Sequence, residues 1–415
     1  MSMALRVDPF TPNTPIDEPA RFSGRDRELK AIIDALFQTA NGNPRHIAIT
    51  GARGIGKTSA LHMAAKVAAG DIALLERLEI DTGDFAFNMV PVLHTANRGE
   101  TVKTVSNALL AEMRRLFQAR GWRMDDLTWE IDLKLFRVGG KLTPAEVPQV
   151  VDQLVDALEK ASGRLNDKGV NGVLLMVDEV DRITHVPDVG TSTELVPSGF
   201  ASFFKVLSER LHARGLRRVG LCLCGVEGFL QVLKTEHPSV ERVFRDVLIP
   251  PLTSAQSEQI ITAALQGTGV GSTEGARRRI VKLSGNYPEP VHLIGSEAFQ
   301  ADTDGEIDES DVEHALDIVV RHVRANYLSD IIARANSGRD QDILRAMAQI
   351  DADVKTVAEV ARRLELVPQA FGSNMTRLTR GGILRRERKG QYRFSDPLLE
   401  IYIRRVGIGA ADDDA

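Results

Sequence analysis

The run Gly51-Ala52-Arg53-Gly54-Ile55-Gly56-Lys57-Thr58, with Ser59 next, fits the pattern G-x-x-x-x-G-K-[ST]. Glycines at this spacing let backbone N–H groups turn toward one point, where β- and γ-phosphate oxygens would sit. A helix that follows adds partial positive charge at its N-terminus. Lys57 would reach the β- and γ-phosphates and Thr58 would ligate Mg2+. A second run, Val173 to Val177 followed by Asp178 and Glu179, ends an apolar stretch in two carboxylates. Open α/β sheets place ligands at the C-terminal ends of their strands. There Asp178 would hold Mg2+ through water, and Glu179 would orient or deprotonate an attacking water. Each run alone has a plain alternative, a turn joining strand to helix or a buried strand that happens to end in acids. Together they predict a site for ATP or ADP with Mg2+.

The elements that must position these groups follow from periodicity. Apolar residues at helical spacing run from Asp26 through Phe37, and His46 to Thr50 is a short apolar strand entering the glycine loop. Thr58 to Ala69 reads as the helix after it. Further strands are expected at Ala73 to Ile80, Gly172 to Val177, Val219 to Cys224 and Val247 to Pro250. Helices are expected at Val102 to Ala119, Val147 to Leu165 and Phe200 to Arg214. Strands alternating with helices predict an α/β fold with a parallel sheet covered on both faces, a P-loop NTPase core. From Ser254 to Val323 the pattern is helical only. Three helices and a two-stranded wing around Lys389-Gly390 then predict a winged helix-turn-helix. The domain boundaries that result are a proline-rich arm at 1–22, the core at 23–252, a helical lid at 253–337 and the winged helix at 338–407. A β-hairpin inserted at 127–142 and an acidic tail at 408–415 complete the expected organisation.

The chain has 415 residues, 43% of them hydrophobic, and a formal net charge of -5, which argues against a protein that coats nucleic acid over its whole surface. The charge is uneven. Residues 338–407 hold 14 Lys and Arg against 9 Asp and Glu. The two cysteines, Cys222 and Cys224, fall on one face of a strand, too close in sequence for an ordinary structural disulfide. A reducing, cytoplasmic setting is the expectation, with no membrane span and no signal peptide. Nine histidines are scattered without metal-ligand spacing.

Phe22-Ser-Gly24-Arg25-Asp-Arg-Glu28-Leu29, the glycine loop and the apolar run into Asp178-Glu179 resemble ATPases of the origin-recognition and initiator branch of the AAA+ class. They also resemble the signal-transducing ATPases called STAND. A group of bacterial ATP-binding proteins is similar through Pro9-Phe-Thr-Pro12, Val177-Asp-Glu-Val180, Glu241-Arg242-Val-Phe244-Arg245 and Gly285-Asn-Tyr287-Pro288. The resemblance covers almost the whole chain. It implies that Phe22, Gly24 and Arg25 lie at or beside the adenine, with Pro288 also at the nucleotide. It implies that Arg242, or Arg245 in its place, reaches a neighbouring subunit's γ-phosphate in a homo-oligomer formed with ATP. Two departures imply slow hydrolysis and a switch-like use of nucleotide. The fourth strand ends in Cys222-Leu-Cys224-Gly225 where a polar sensor is usual, and Pro288 stands where initiators carry an arginine.

For the basic end, candidate duplex-DNA contacts are Gln369, Ser373, Asn374, Arg377 and Arg380 on the recognition helix and its approach, and Arg385, Arg386, Arg388, Lys389 and Arg393 on the wing. The alternative is a STAND-like signalling or defence regulator whose winged helix serves protein contacts or autoinhibition, with a regulatory protein as partner.

Overall fold

Three runs, His46–Gly51, Gly172–Asp178 and Val219–Val226, are apolar at nearly every position and buried at nearly every position, as strands covered on both faces require. The structure, a computed structural model, describes residues 6–122, 147–184, 199–335 and 337–406, with only the backbone of 322–334. The hairpin expected at 127–142 and the tail expected at 408–415 lie outside these residues. The chain divides into two compact units. One is Ile16–Gly51 with Lys57–Pro250; the other is Met1–Pro15 with Ala52–Gly56 and Pro251–Ala415. Among the described residues no helix is long and apolar enough to cross a membrane.

The first unit runs α1 (Asp26–Ala40), β1 (His46–Gly51), α2 (Lys57–Ala68), α3 (Ala73–Arg77), β2 (Met89–Thr95), α4 (Val102–Ala119), α5 (Val147–Asn166), β3 (Gly172–Asp178), α6 (Phe200–Ala213), β4 (Val219–Val226), α7 (Phe229–Glu236) and β5 (Phe244–Leu248). The five strands are parallel in the order β2-β3-β4-β1-β5. Alternate strand residues such as Val173, Leu175 and Val177 share a core with α4, α5 and α6. The opposite face meets α1 and α2. At Gly220 a Cβ would come within 3.3 Å of Thr39 on α1 and 3.0 Å of Leu174, so any side chain there would require those two neighbours to shift.

Two expected strands are corrected. Ala73 to Ile80 is the helix α3 and its exit turn, not a strand. Leu74, Leu75 and Leu78 are buried on one side of that turn, and Ala-Leu-Leu-Glu-Arg is a run of strong helix formers without alternation. The second strand is instead Met89–Thr95, which contains Pro91 and tolerates it because β2 is an edge of the sheet. The fifth strand begins at Phe244 rather than Val247. Its exposed Arg245 and Asp246 mark a half-covered edge strand, which lacks the continuous apolar run that marks the central ones.

The second unit runs α8 (Ser254–Leu265), β6 (Gly271–Ser272), α9 (Glu274–Ser284), α10 (Pro288–Ala301), β7 (Glu306–Ile307), α11 (Glu309–Arg334), α12 (Gly338–Ala348), β8 (Lys355–Thr356), α13 (Val357–Arg363), α14 (Gly372–Arg380), β9 (Leu384–Arg388), β10 (Gln391–Phe394) and α15 (Pro397–Arg405). The stretch expected to be helices only holds one short parallel pair, β6 with β7. α12, α13 and α14 are followed by the antiparallel pair β9 and β10, the three helices and two strands expected of a winged helix, and β8, between α12 and α13, extends the sheet to the order β8-β10-β9. One continuous apolar cluster joins Ile261, Ile294 and Leu316 to Ile343, Phe371 and Tyr402, so the helices before and after 337 share a core. The arm is part of it. Phe10 is buried against Gly295, where a Cβ would come within 2.5 Å of its ring, and Arg6 pairs with Asp302 at 2.6 Å.

Sequence reading missed α15. The signal was present: Asp396 as N-cap, Pro397 at the first helical position, then Leu398, Leu399, Tyr402 and Ile403 buried. Asp396 accepts from Leu398 N at 2.8 Å. Burial pushes its carboxyl up to about 6, with Glu289 adding to the shift, while the Leu398 amide and Arg53 oppose it. Between about 4, where an unfolded chain's aspartate titrates, and about 6, the folded state binds the extra proton. Stability from this group therefore falls as pH rises through that window. Asp396→Asn keeps the cap and removes the ionisation, so its thermal midpoint should gain on the parent's between pH 4 and pH 7. A difference that stays flat across this range would contradict the assignment.

Candidate functional site

β1 delivers the chain to the phosphate loop and α2 takes it away. Between them Gly54 and Gly56 adopt φ of 70° and 92°, left-handed values that a side chain resists. Ile55 between them is wholly buried and anchors the turn. α2 starts at Lys57, so its first unbonded amides face the loop. In the C-terminal unit, which includes Ala52–Gly56, the Gly54 carbonyl accepts from Glu289 N at 3.3 Å. A Cβ on Gly54 would come within 2.6 Å of Glu289 Oε2, so a side chain at position 54 is resisted by conformation and would also displace the Glu289 carboxylate.

Thr58 Oγ1 donates to Asp178 Oδ2 at 2.8 Å, which brings together the two residues expected at Mg2+. Asp178 is buried at the end of β3, and its other oxygen accepts from Glu179 N at 2.8 Å. A hydroxyl and one carboxylate are hard oxygen donors that suit Mg2+, an ion that keeps several waters. Glu179 itself sits at φ 53°, a strained position for a non-glycine residue, and its carboxylate pairs with Arg182. Two further residues shape this end of the sheet: Asp181, which escaped sequence reading, and Cys224, which it noted at the sensor position. Asp181 accepts from Val226 N at 2.9 Å and so fixes the exit of β4. The buried Cys224 thiol hydrogen-bonds to Asp178; burial pushes it well above its usual range, and Asp178 reinforces the shift. It therefore stays a thiol, a weak donor where a hydroxyl or amide would be a strong one.

The segment expected near the base is built from consecutive left-handed residues, Gly24 at φ 66° and Arg25 at φ 60°. Phe22 is buried, with the Arg25 and Arg77 guanidinium carbons 6.0 and 5.9 Å from its ring centre. Burial pushes Arg25 down to about 10, and its Nη2 reaches Pro250 O at 3.5 Å. Ser59 Oγ accepts from Ile16 N at 3.0 Å. Arg242 and Arg245 part company. Arg245 lies on β5 and pairs with Asp34 at 3.6 Å, whereas Arg242 is exposed at the end of the turn Pro238–Arg242. Pro288 is the first residue of α10, after the left-handed pair Gly285 and Asn286.

On the C-terminal module the structure sorts the candidate DNA contacts into two groups. Asn374 and Arg377 turn inward, contrary to expectation. Asn374 Nδ2 donates to Asp340 Oδ1 at 2.8 Å, and Arg377 donates to both Asp340 oxygens and to Ser337. The cause is Asp340, whose side chain is fully buried and needs a counter-charge. It falls on the same helical stripe as Ile343, Leu344 and Met347, a signal readable in the sequence. Arg385 and Arg393 pair with Glu387 at 3.5 and 2.7 Å. Gln369, Ser373, Arg380, Arg386, Arg388 and Lys389 are exposed.

Lys57→Ala should weaken MgATP binding by about tenfold or more in calorimetry, about 1.4 kcal/mol or above. Thr58→Ala should leave an affinity that no longer responds to Mg2+.

Residues 21–190 match the family model described as AAA ATPase domain, and residues 330–403 match a domain of unknown function (DUF8462). An uncharacterized HTH-type transcriptional regulator of Methanocaldococcus jannaschii is 22% identical over 421 residues, covering 97% of this chain and 93% of that protein. Among solved structures, a Walker-type ATPase of Pyrococcus abyssi superposes with a TM-score of 0.57 at 16% identity, over 94% of this chain and 99% of that one. The ORC2 protein of Aeropyrum pernix, solved as ADPNP-ADP complexes, gives 0.53 at 16% identity, over 91% and 92%. Residues 21–190 are thus similar in sequence to AAA ATPase domains, and the five parallel strands with their flanking helices have the fold of a P-loop NTPase core of the AAA+ type.

Proposed function

We propose that this chain is an ATP-binding AAA+ switch of the initiator type whose C-terminal module contacts duplex DNA. The observation that carries the nucleotide reading is the pairing of Thr58 with Asp178 at 2.8 Å beside a loop held open by Gly54 and Gly56. Mg2+ held there would neutralise charge on the phosphates. Lys57 would meet the same oxygens, and the amides of the loop and of α2 would surround them. Hydrolysis is slow in this reading. Glu179 is engaged by Arg182, and only a thiol stands at the end of β4. Arg242 is the better candidate for reaching a neighbouring copy, because Arg245 is spent on Asp34.

Support for DNA contact comes from charge and exposure. Residues 338–407 carry a net charge of +5 by sequence, while residues 1–337 carry -7. Ser373, Thr376 and Arg380 lie along the exposed side of α14, and Arg386, Arg388 and Lys389 stand on the wing. The relative from Methanocaldococcus jannaschii is described as a helix-turn-helix regulator, which agrees with this reading. The test is anisotropy with a labelled duplex over a range of salt, with ATP, ADP or neither. Arg388→Glu and Lys389→Glu should each weaken binding and lower the salt slope by about 0.9 for each phosphate no longer neutralised. Arg377→Ala should instead lower thermal stability, since that guanidinium holds Asp340. Affinity and slope that survive both wing reversals would refute the DNA part.

A second reading is favoured by one observation. In the C-terminal unit, Glu289 and Asp396 both lie in the electrostatic surroundings of phosphate-loop residues Arg53 and Gly54. A STAND-like regulator would use such contacts to hold the loop until a protein partner arrives. Deleting residues 338–415 should then raise nucleotide exchange; an unchanged rate would count against it.

A further inference from the structure

The sheet has a second edge. The starting ends of β1 and β4, one side of α6 and the turn before β5 enclose a cleft of roughly 810 Å3. β1 begins there with His46 and ends at Gly51, roughly 16 Å away at 3.3 Å per residue, so the cleft lies at the opposite end of the strands from Thr58 and Asp178.

The cleft is rich in donors. Lys205 and Ser208 come from α6, Ser239 and Arg242 from the turn Pro238–Arg242, and His46 from β1. Lys205, Ser208, Glu209 and His212 fall at one helical face of α6, opposite the apolar face of Phe203, Phe204 and Leu207. The one carboxylate in the lining, Glu209, already accepts from Lys205 Nζ at 2.8 Å. Arg242 forms no ion pair among the described residues and is exposed. His46 Nδ1 accepts from Leu221 N at 3.1 Å, and burial pushes the ring down to about 4, so it is neutral with its proton on Nε2. Leu211, Leu216 and Val219 supply an apolar wall. Several donors, one neutralised acid and an apolar side match an anion with three or more acceptor oxygens on a small apolar body.

We propose that this cleft is a second ligand site, taking a free small phosphate monoester whose oxygens meet Arg242, Lys205 and Ser239 and whose body rests on Leu216. The same phosphate chemistry could be offered by a nucleotide bound to a second copy of the chain, and the experiment separates the two sources.

The test uses the full chain carrying Lys57→Ala, and in parallel the parent chain saturated with MgADP, so that the phosphate loop is weakened in one background and filled in the other. Phenyl phosphate and inorganic phosphate are titrated by calorimetry. One equivalent of phenyl phosphate should bind, more tightly than inorganic phosphate because it also covers the wall. Arg242→Ala and Ser239→Ala should each weaken it by about tenfold with no change in thermal midpoint. No binding in either background overturns the proposal, as does binding indifferent to both substitutions. It is overturned equally if Arg242→Ala alters only ATP-driven self-association in sedimentation, since the phosphate would then be a second copy's.

Discussion

Phosphate loops work with main-chain N–H groups, and main-chain N–H groups are normally spent on helices and strands. Freeing several of them at one place demands a turn that ordinary residues resist, held by something rigid on each side. Here Gly54 and Gly56 supply the left-handed turn, buried Ile55 pins it, and β1 and α2 supply the rigidity. The rest of the first unit follows from that need. β1 is rigid because it is central, with β4 on one side and β5 on the other. Asp178 is in reach of Thr58 because β3 and β1 both flank β4 and all three end at the same edge. The carboxylate is then tied by Glu179 N and by the Cys224 thiol, so its position does not depend on a bound ion.

A second constraint, that buried charge must be partnered, decides which polar residues remain for outside work. Asp340 takes Asn374 and Arg377 from the face of α14 that sequence reading assigned to DNA. Lys355 is wholly buried beside Glu400 at 2.7 Å and Phe394, so it serves the packing of α15 on the wing. Glu387 takes Arg385 and Arg393. What remains outward is a shorter set on the far side of α14 and at the tip of the wing. A count of basic residues overstates a binding surface for this reason, because some of them answer acids inside the module.

Much of the α/β core was legible because it is driven by pattern: continuous apolar runs for central strands, helical spacing for α4, α5 and α6, and a motif whose glycines have a backbone reason. Edge strands were less legible. β2 contains a proline and β5 exposes the adjacent polar pair Arg245 and Asp246, so neither has the continuous run that marks the centre. The mispredicted strand at Ala73 to Ile80 is apolar enough for either structure, and its helix formers, its lack of alternation and the packing of Leu74 and Leu78 together select the helix. At the site, residue types pointed to Thr58 and Asp178, which do meet, while Asp181 and Glu289 act through contacts between distant segments that no local spacing encodes.

Glu289 shows why amide geometry alone does not set what the loop accepts. Its backbone N–H is a donor to Gly54 O, and its carboxylate lies where a Gly54 side chain would be. An anion received by the amides must be accommodated beside that negative charge, with Arg53 of the loop offsetting it. Burial makes the Asp396 carboxyl resist ionisation, and Glu289 adds to that while Arg53 opposes it. The same unit joins these groups to the core shared by α10, α11 and α15, so they cannot drift apart without disturbing buried apolar contacts. The local charge at the loop is therefore set partly by residues from the far end of the sequence. A triphosphate and a diphosphate, differing by one phosphate's charge, present that arrangement with different electrostatic costs, which is the physical requirement for a nucleotide switch.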